Sequence, residues 1–384
     1  MARNRPRRGS RHASRPALRA ADEAAPHAGL RRLLAACFVL SCIAAGTAAW
    51  LAMGETPVNP GVSLVLDQPP RQVEELIPPH DGAPSGAAPH MQSPVQAPIP
   101  AAGAMRVLPA EITPEGKIRL APAPDPLLVE QTTTGPLPRI AEDGAQSYRL
   151  YAHPAPPAGG RPRIAIVITS MGLRETPTRL AIERLPPQIS LAFTPYGERL
   201  QDWVAEARLQ GHEALLELPT EPYDYPENDP GPHALLTGLS AEENTNRLEW
   251  LLSRFSGYVG VVNFIGAKFS TSETALGPVM AELKGRGLMI VDNQSSARSR
   301  IADIAGQILL PFVAAQTQID ADLSTAAIDA KLAALEQEAT GKGYAVGIGL
   351  PLPVTIERIS VWAAQLEAKG ITLAPVSALA AAGK

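Results

Sequence analysis

The sequence predicts an α/β protein whose folded part is a small, closed or incomplete (β/α) barrel of about seven strands, set behind one membrane-crossing helix and a proline-rich spacer. Three observations lead there. After Arg163, short apolar runs alternate with longer stretches of helical pattern, the order expected of repeated β/α units. Between residues 55 and 160, proline and alanine dominate and aromatic residues are scarce. Leu33–Met53 is 21 residues without a charge, which matches the ~20 needed to cross a hydrocarbon core.

Residues 1–32 hold nine arginines against the single acidic pair Asp22-Glu23, with no apolar periodicity, and read as a disordered basic tail. Arginines before the apolar stretch and Glu55 after it place this tail in the cytoplasm. The expectation is a single-pass inner-membrane anchor at 33–53 with the remainder in the periplasm. A cleaved secretory signal is the competing reading, with Ala44, Ala45, Ala48 and Ala49 offering a small-residue cleavage site and a secreted product. Cys37 and Cys42 are the only cysteines, so the exported part holds neither a disulfide nor a thiolate metal site. A net charge of −4 gives no reason to expect nucleic acid as a partner.

Residues 54–134 form the Pro/Ala-rich linker, and the ordered domain is expected over 135–384. Candidate strands are 163–168, 189–193, 213–218, 258–263, 287–292, 344–349 and 371–376. Helix starts are marked by Thr176 before Pro177, by the capping box Ser240-Ala241-Glu242-Glu243, and by Ser270-Thr271-Ser272-Glu273. No glycine-rich phosphate loop follows the first strand, which argues against a dinucleotide-binding sheet. The segment Leu218–His233 contains Pro219, Pro222, Pro226, Pro230 and Pro232, a loop long and stiff enough to suggest part of a site.

In a parallel β/α array the C-terminal strand ends are the usual place for ligands. Here those ends read Thr169-Ser170-Met171-Gly172, Asn263-Phe264-Ile265-Gly266, Asp292-Asn293 and Gly349-Leu350-Pro351. Taken in order, Ile164-Ala165-Ile166-Val167-Ile168, Leu191-Ala192-Phe193-Thr194-Pro195-Tyr196, Gly211-His212-Glu213, Leu218-Pro219-Thr220-Glu221-Pro222, Asn228-Asp229-Pro230-Gly231-Pro232 and Gly257-Tyr258-Val259-Gly260-Val261-Val262-Asn263 resemble the divergent polysaccharide deacetylase family of exported bacterial proteins. The resemblance spans about residues 135–380 and implies a deformed (β/α) barrel related to metal-dependent carbohydrate deacetylases.

The departures from the family pattern are chemical. Where the family has two aspartates after the first strand, one implied to bind metal and one to act as base, this chain has Thr169 and Ser170. Hydroxyls replace neither charge at neutral pH. An expected histidine is Phe264, and another, in a Gly-His-Pro, is Leu350. A hydrolytic zinc site takes about three protein ligands and an open water position, so no metal and no cofactor are expected.

The polar residues that remain have two readings each. Asp292 ends a very apolar strand, and Glu221 stands in the proline-stiffened loop; these are the candidate catalytic carboxylates, either of which also suits a structural role. His212, Asn263, Asp320, Tyr223 and Tyr225 are candidate binding residues. Against that, His212 suits a turn, Asn263 a loop cap, Asp320 a helix cap, and the tyrosines packing of the loop. Glu213 and Glu217 share one strand face, where either could line the barrel. The expected function is binding of an envelope glycan or peptidoglycan without hydrolysis. The alternatives are a carbohydrate deacetylase with a rebuilt site, which would bring back zinc or another divalent metal, and an envelope scaffold.

Overall fold

In the computed structural model of the protein, residues 110–114, 118–155 and 159–382 are described. The basic tail, the 33–53 segment and the spacer up to residue 109 lie outside the described residues. Among the described residues no helix is long and apolar enough to cross a membrane.

The domain is built on one ten-stranded sheet. Its strands are β1 (Arg163–Met171), β2 (Ser190–Phe193), β3 (Ala214–Thr220), β4 (Tyr258–Ile265), β5 (Met289–Asp292), β6 (Pro311–Ala314), β7 (Thr317–Gln318), β8 (Tyr344–Gly349), β9 (Thr372–Leu373) and β10 (Ala381–Ala382). The order is β7-β8-β1-β2-β3-β4-β5-β6-β10, with β9 beside β1. All pairings are parallel except β6 with β10. The helices of eight residues or more are α1 (Glu175–Arg184), α2 (Leu200–Leu209), α3 (Ala241–Leu252), α4 (Glu273–Gly285), α5 (Ile301–Ile308), α6 (Thr325–Lys342) and α7 (Pro353–Leu366).

One extended segment, 311–318, pairs with β5 through its first half and with β8 through its second. Between the halves, Ala315 N–H donates to Asp292 O and Gln316 N–H to Val346 O. The curled sheet is thus bridged edge to edge, as a deformed barrel requires.

Alternation along the strands sorts the buried residues into two layers. Ile164, Ile166, Ile168, Leu216, Leu218 and Ile290 pack under the helices. Ala165, Val167, Leu215, Val262, Val291 and Val346 face inward with Leu128, Leu150 and Tyr151, which close one end. The inward strand residues are the smaller set, mostly valine and alanine against isoleucine and leucine, as the crowded inside of a curled sheet demands. Of the three marked helix starts, Ser240 and Glu243 form the capping box of α3; α4 is capped by Ser272 instead of Ser270, and α1 begins at Glu175 after Arg174, with Thr176 and Pro177 inside its first turn.

Two expectations need correction. The sheet has ten strands instead of about seven, because β6, β7 and β10 are two to four residues long and carry no period for a sequence window to detect. The ordered part also begins before residue 135. Glu111–Ile112 pairs with Ile118–Arg119 and Val129–Gln131 with Pro136–Pro138, while Leu120 and Leu128 are buried. Proline-rich composition hid this, since such a segment packs through a few apolar side chains and backbone bonds without any amphipathic pattern.

Candidate functional site

The C-terminal ends of β1, β3, β4, β5 and β8 form one mouth, and three of them leave the strand with a non-glycine residue at positive φ: Ser170 at 58°, Ile265 at 65° and Gln294, just past β5, at 50°. For a β-branched residue such as Ile265 that conformation is a genuine outlier. The next residue is a glycine where no side chain fits, because a Cβ at Gly266 would collide with Thr220 Oγ1. Backbone strain of this kind collects where a site is shaped.

Into this frame the sequence places few reactive groups. Thr169 Oγ1 donates to Gly349 O at 3.2 Å, so its hydroxyl ties β1 to β8. Ser170 N–H donates to Glu217 Oε1. Phe264 and Leu350 occupy the positions where imidazoles were expected, and Leu350 N–H donates to Asp320 Oδ2 at 2.7 Å. Asp320 also accepts from Thr355 Oγ1 at 3.0 Å and from Gln318 Nε2 at 2.7 Å. Its two oxygens therefore hold β7, β8 and α7 together.

Asp292 is buried; its Oδ1 accepts from Gln294 N–H at 2.9 Å and its Oδ2 from Ser299 Oγ at 2.7 Å. Burial raises its pKa, against the pull of Ser299, Gln294 and Asn263. Asn263 Oδ1 accepts from Asn293 N–H at 2.7 Å, while its buried Nδ2 makes no well-formed hydrogen bond. Glu221 has Thr237 N–H and Oγ1, each at 2.6 Å, on one oxygen and Lys268 Nζ at 2.7 Å on the other. Burial pushes its pKa up, but Lys268 and Thr237 together outweigh that and hold it low.

His212 lies apart from this group. It precedes β3 and so stands at the opposite end of the strands, fully buried, with Nδ1 2.8 Å from Ile189 O and Nε2 3.2 Å from Ile182 O. Burial lowers its pKa. Tyr223 and Tyr225 are on the long loop and are 55% and 37% exposed. Tyr223 Oη accepts from an Arg298 guanidinium nitrogen at 3.2 Å and stands 3.4 Å from Thr271 Oγ1.

The residue that sequence reasoning left outside the site is Glu217. It is 2% exposed and faces inward beside Ser170, and burial pushes its carboxyl up to about 8. That shift favours the protonated acid at neutral pH. The even spacing of Glu213, Leu215 and Glu217 was the signal for an inward-facing carboxyl. Glu213 took the structural share of that face, accepting bonds from Ser190 Oγ, His153 N–H and Ser377 N–H near the other end.

These groups do not fit the zinc centre that metal-dependent carbohydrate deacetylases use. Among the described residues no three His, Cys, Asp or Glu side chains stand close enough together to hold a metal ion. Asp292 and Asp320, two of the carboxylates at the strand ends, already use both oxygens as hydrogen-bond acceptors.

The model of the divergent polysaccharide deacetylase family matches residues 166–380. The crystal structure of an uncharacterized protein from Agrobacterium tumefaciens C58 is similar at 39% sequence identity and a TM-score of 0.62, over 64% of this chain and 99% of that one. An uncharacterized protein of Haemophilus influenzae is 25% identical over 196 residues, which cover 50% of this chain and 68% of that protein. A fainter likeness, 11% identity with a TM-score of 0.36, is to the catalytic domain of a peptidoglycan N-acetylglucosamine deacetylase from Eubacterium rectale; at that level it supports nothing further. With more than half its length matched and the curled parallel sheet in place, the chain belongs to the divergent polysaccharide deacetylase family.

Proposed function

We propose that this chain binds an envelope glycan without hydrolysing it, held at the inner membrane by residues 33–53 with its folded domain in the periplasm. One observation carries the reading: the strand ends where the family pattern has a base and metal ligands present Thr169, Ser170, Phe264 and Leu350, and the nearby carboxylates are committed to hydrogen bonds. Without a metal-activated water there is no strong nucleophile at neutral pH for an acetamide. A barrel mouth flanked by exposed tyrosines remains suited to holding a sugar. The uncharged 33–53 stretch behind nine arginines supports the anchor.

The test uses the full chain in detergent, purified without chelator and then incubated with zinc. The expected result is no zinc retained after gel filtration and no acetate released from acetylated chitooligosaccharides or peptidoglycan, together with measurable binding of at least one of them. One tightly held zinc per chain with acetate release would sink the reading.

A second reading is favoured by Glu217 alone. A carboxyl held protonated to about pH 8 beside Ser170 can act as a proton donor in a hydrolase with a rebuilt site. It predicts metal-independent acetate release that Glu217→Gln abolishes.

A further inference from the structure

A cleft of about 580 Å³ opens beside the mouth, lined by Thr271, Ala297, Arg298, Ser299, Arg300 and Asp303. We propose that it is a subsite for a sugar carrying a carboxylate; this rests on the glycan-binding reading and narrows it to acidic glycans.

The cleft holds two arginines in different states. Arg300 is paired with Glu273 and, at 3.3 Å, with Asp303, so its charge is answered by the protein. Arg298 meets no carboxylate among the described residues; its partner is the neutral Oη of Tyr223, at 3.2 Å. That bond aims the guanidinium without discharging it. A planar guanidinium with free N–H groups matches the two oxygens of a carboxylate.

The surroundings suit a pyranose. Tyr223 is held by its hydroxyl, between Arg298 and Thr271, while more than half of the residue stays exposed. An aromatic face fixed in this way offers flat apolar area for the C–H face of a sugar at little cost in side-chain freedom. Thr271 and Ser299 add hydroxyls on the cleft wall, and Ser299 is itself fixed by its bond to Asp292. Asp303 lines the same cleft and repels a dianion more than a monoanion, so a singly charged carboxylate fits better than a phosphate.

The test measures binding of three ligands to the full chain by calorimetry: chitobiose, the same disaccharide bearing a lactyl ether carboxylate, and the methyl ester of that acid. The acid should bind about tenfold tighter than its ester, the size of one charge-assisted contact. Raising the salt concentration should narrow that gap. Arg298→Gln should bring the acid-to-ester ratio close to one, Arg298→Lys should leave an intermediate ratio, and Tyr223→Ala should weaken all three ligands. Because the readout is a ratio within each variant, partial misfolding does not imitate it.

Equal binding of acid and ester, or a ratio that survives Arg298→Gln, would overturn the subsite while leaving glycan binding intact. Displacement of the acid by inorganic phosphate far more readily than by acetate would overturn the carboxylate assignment. Failure of all three ligands to bind would remove the subsite and would count against the broader glycan reading as well.

Discussion

Glu217 is buried inside the sheet, and burial pushes its carboxyl up to about 8 from an ordinary value of 4.5, against the opposing hydrogen bonds from Ser170. A folded-state pKa above the unfolded one means the folded protein holds the extra proton. The stability it contributes is fully present below pH 4.5 and is lost as pH rises through about 8. Glu217→Gln, which keeps the shape and removes the titration, should therefore unfold at a higher urea concentration than the wild type at pH 9, by an amount on the order of a few kcal/mol, with the gap closing toward pH 5. A gap that does not change with pH would show that the carboxyl reaches water. The departures at the mouth were legible because the resemblance to the family sets Thr169, Ser170, Phe264 and Leu350 where its pattern has aspartates and histidines. Glu217 was not, because a carboxylate on a half-polar strand face reads equally well as half of an ion pair, and only burial shows that it has no cation.

The long loop after β3 was legible as stiff, and its anchors explain what the tyrosines and carboxylates of that region do. Glu221 clamps it, with one oxygen on Thr237 N–H and Oγ1 and the other on Lys268 Nζ. Farther along, His233 stacks on Trp250 with ring centroids 3.5 Å apart and planes 4° from parallel, and Arg254 lies 4.7 Å from the same ring centroid. Trp250 therefore packs the loop and has little face left for a sugar, whereas Tyr223 keeps its own exposed. Glu221→Gln should weaken the clamp by about 1.5–3 kcal/mol, the range for hydrogen bonds to a charged group. Amide hydrogen exchange should quicken at Leu235 and Thr237, while β1 and β8, across the sheet, keep their protection. Uniform loss of protection throughout the sheet would instead make Glu221 part of the global core. The bridging segment 311–318 was the least legible element, since pairing with strands on two sides leaves no period of its own in the sequence.

The whole domain reaches back into what composition marks as linker. Arg208 on α2 is 2% exposed, and its guanidinium bonds Ala121 O through Nε at 3.0 Å and through a terminal nitrogen at 2.8 Å, with the other terminal nitrogen on Tyr151 O at 3.0 Å. Leu120 N–H donates back to Arg208 O at 2.9 Å, Asp125 N–H donates to Tyr151 Oη at 2.8 Å, and Leu128 is fully buried against the inward layer of the sheet. Burial of so much of the guanidinium lowers its pKa to about 10, which measures how far the charge depends on these carbonyls. A chain beginning at residue 135 loses Ala121, and with it the acceptor for two of the guanidinium bonds. Breaking a buried charge's partnerships by removing one side costs more than the partnership is worth, commonly 3–5 kcal/mol. A chain beginning at residue 110 should therefore unfold at a clearly higher temperature than one beginning at 135. In the shorter chain Arg208→Met should recover part of the difference, because it removes an unanswered buried charge; in the longer chain the same substitution should destabilise, because it leaves Ala121 O without its donor. Equal melting temperatures for the two chains would mean that Arg208 turns to solvent when 110–134 is absent, and that this segment is a spacer after all.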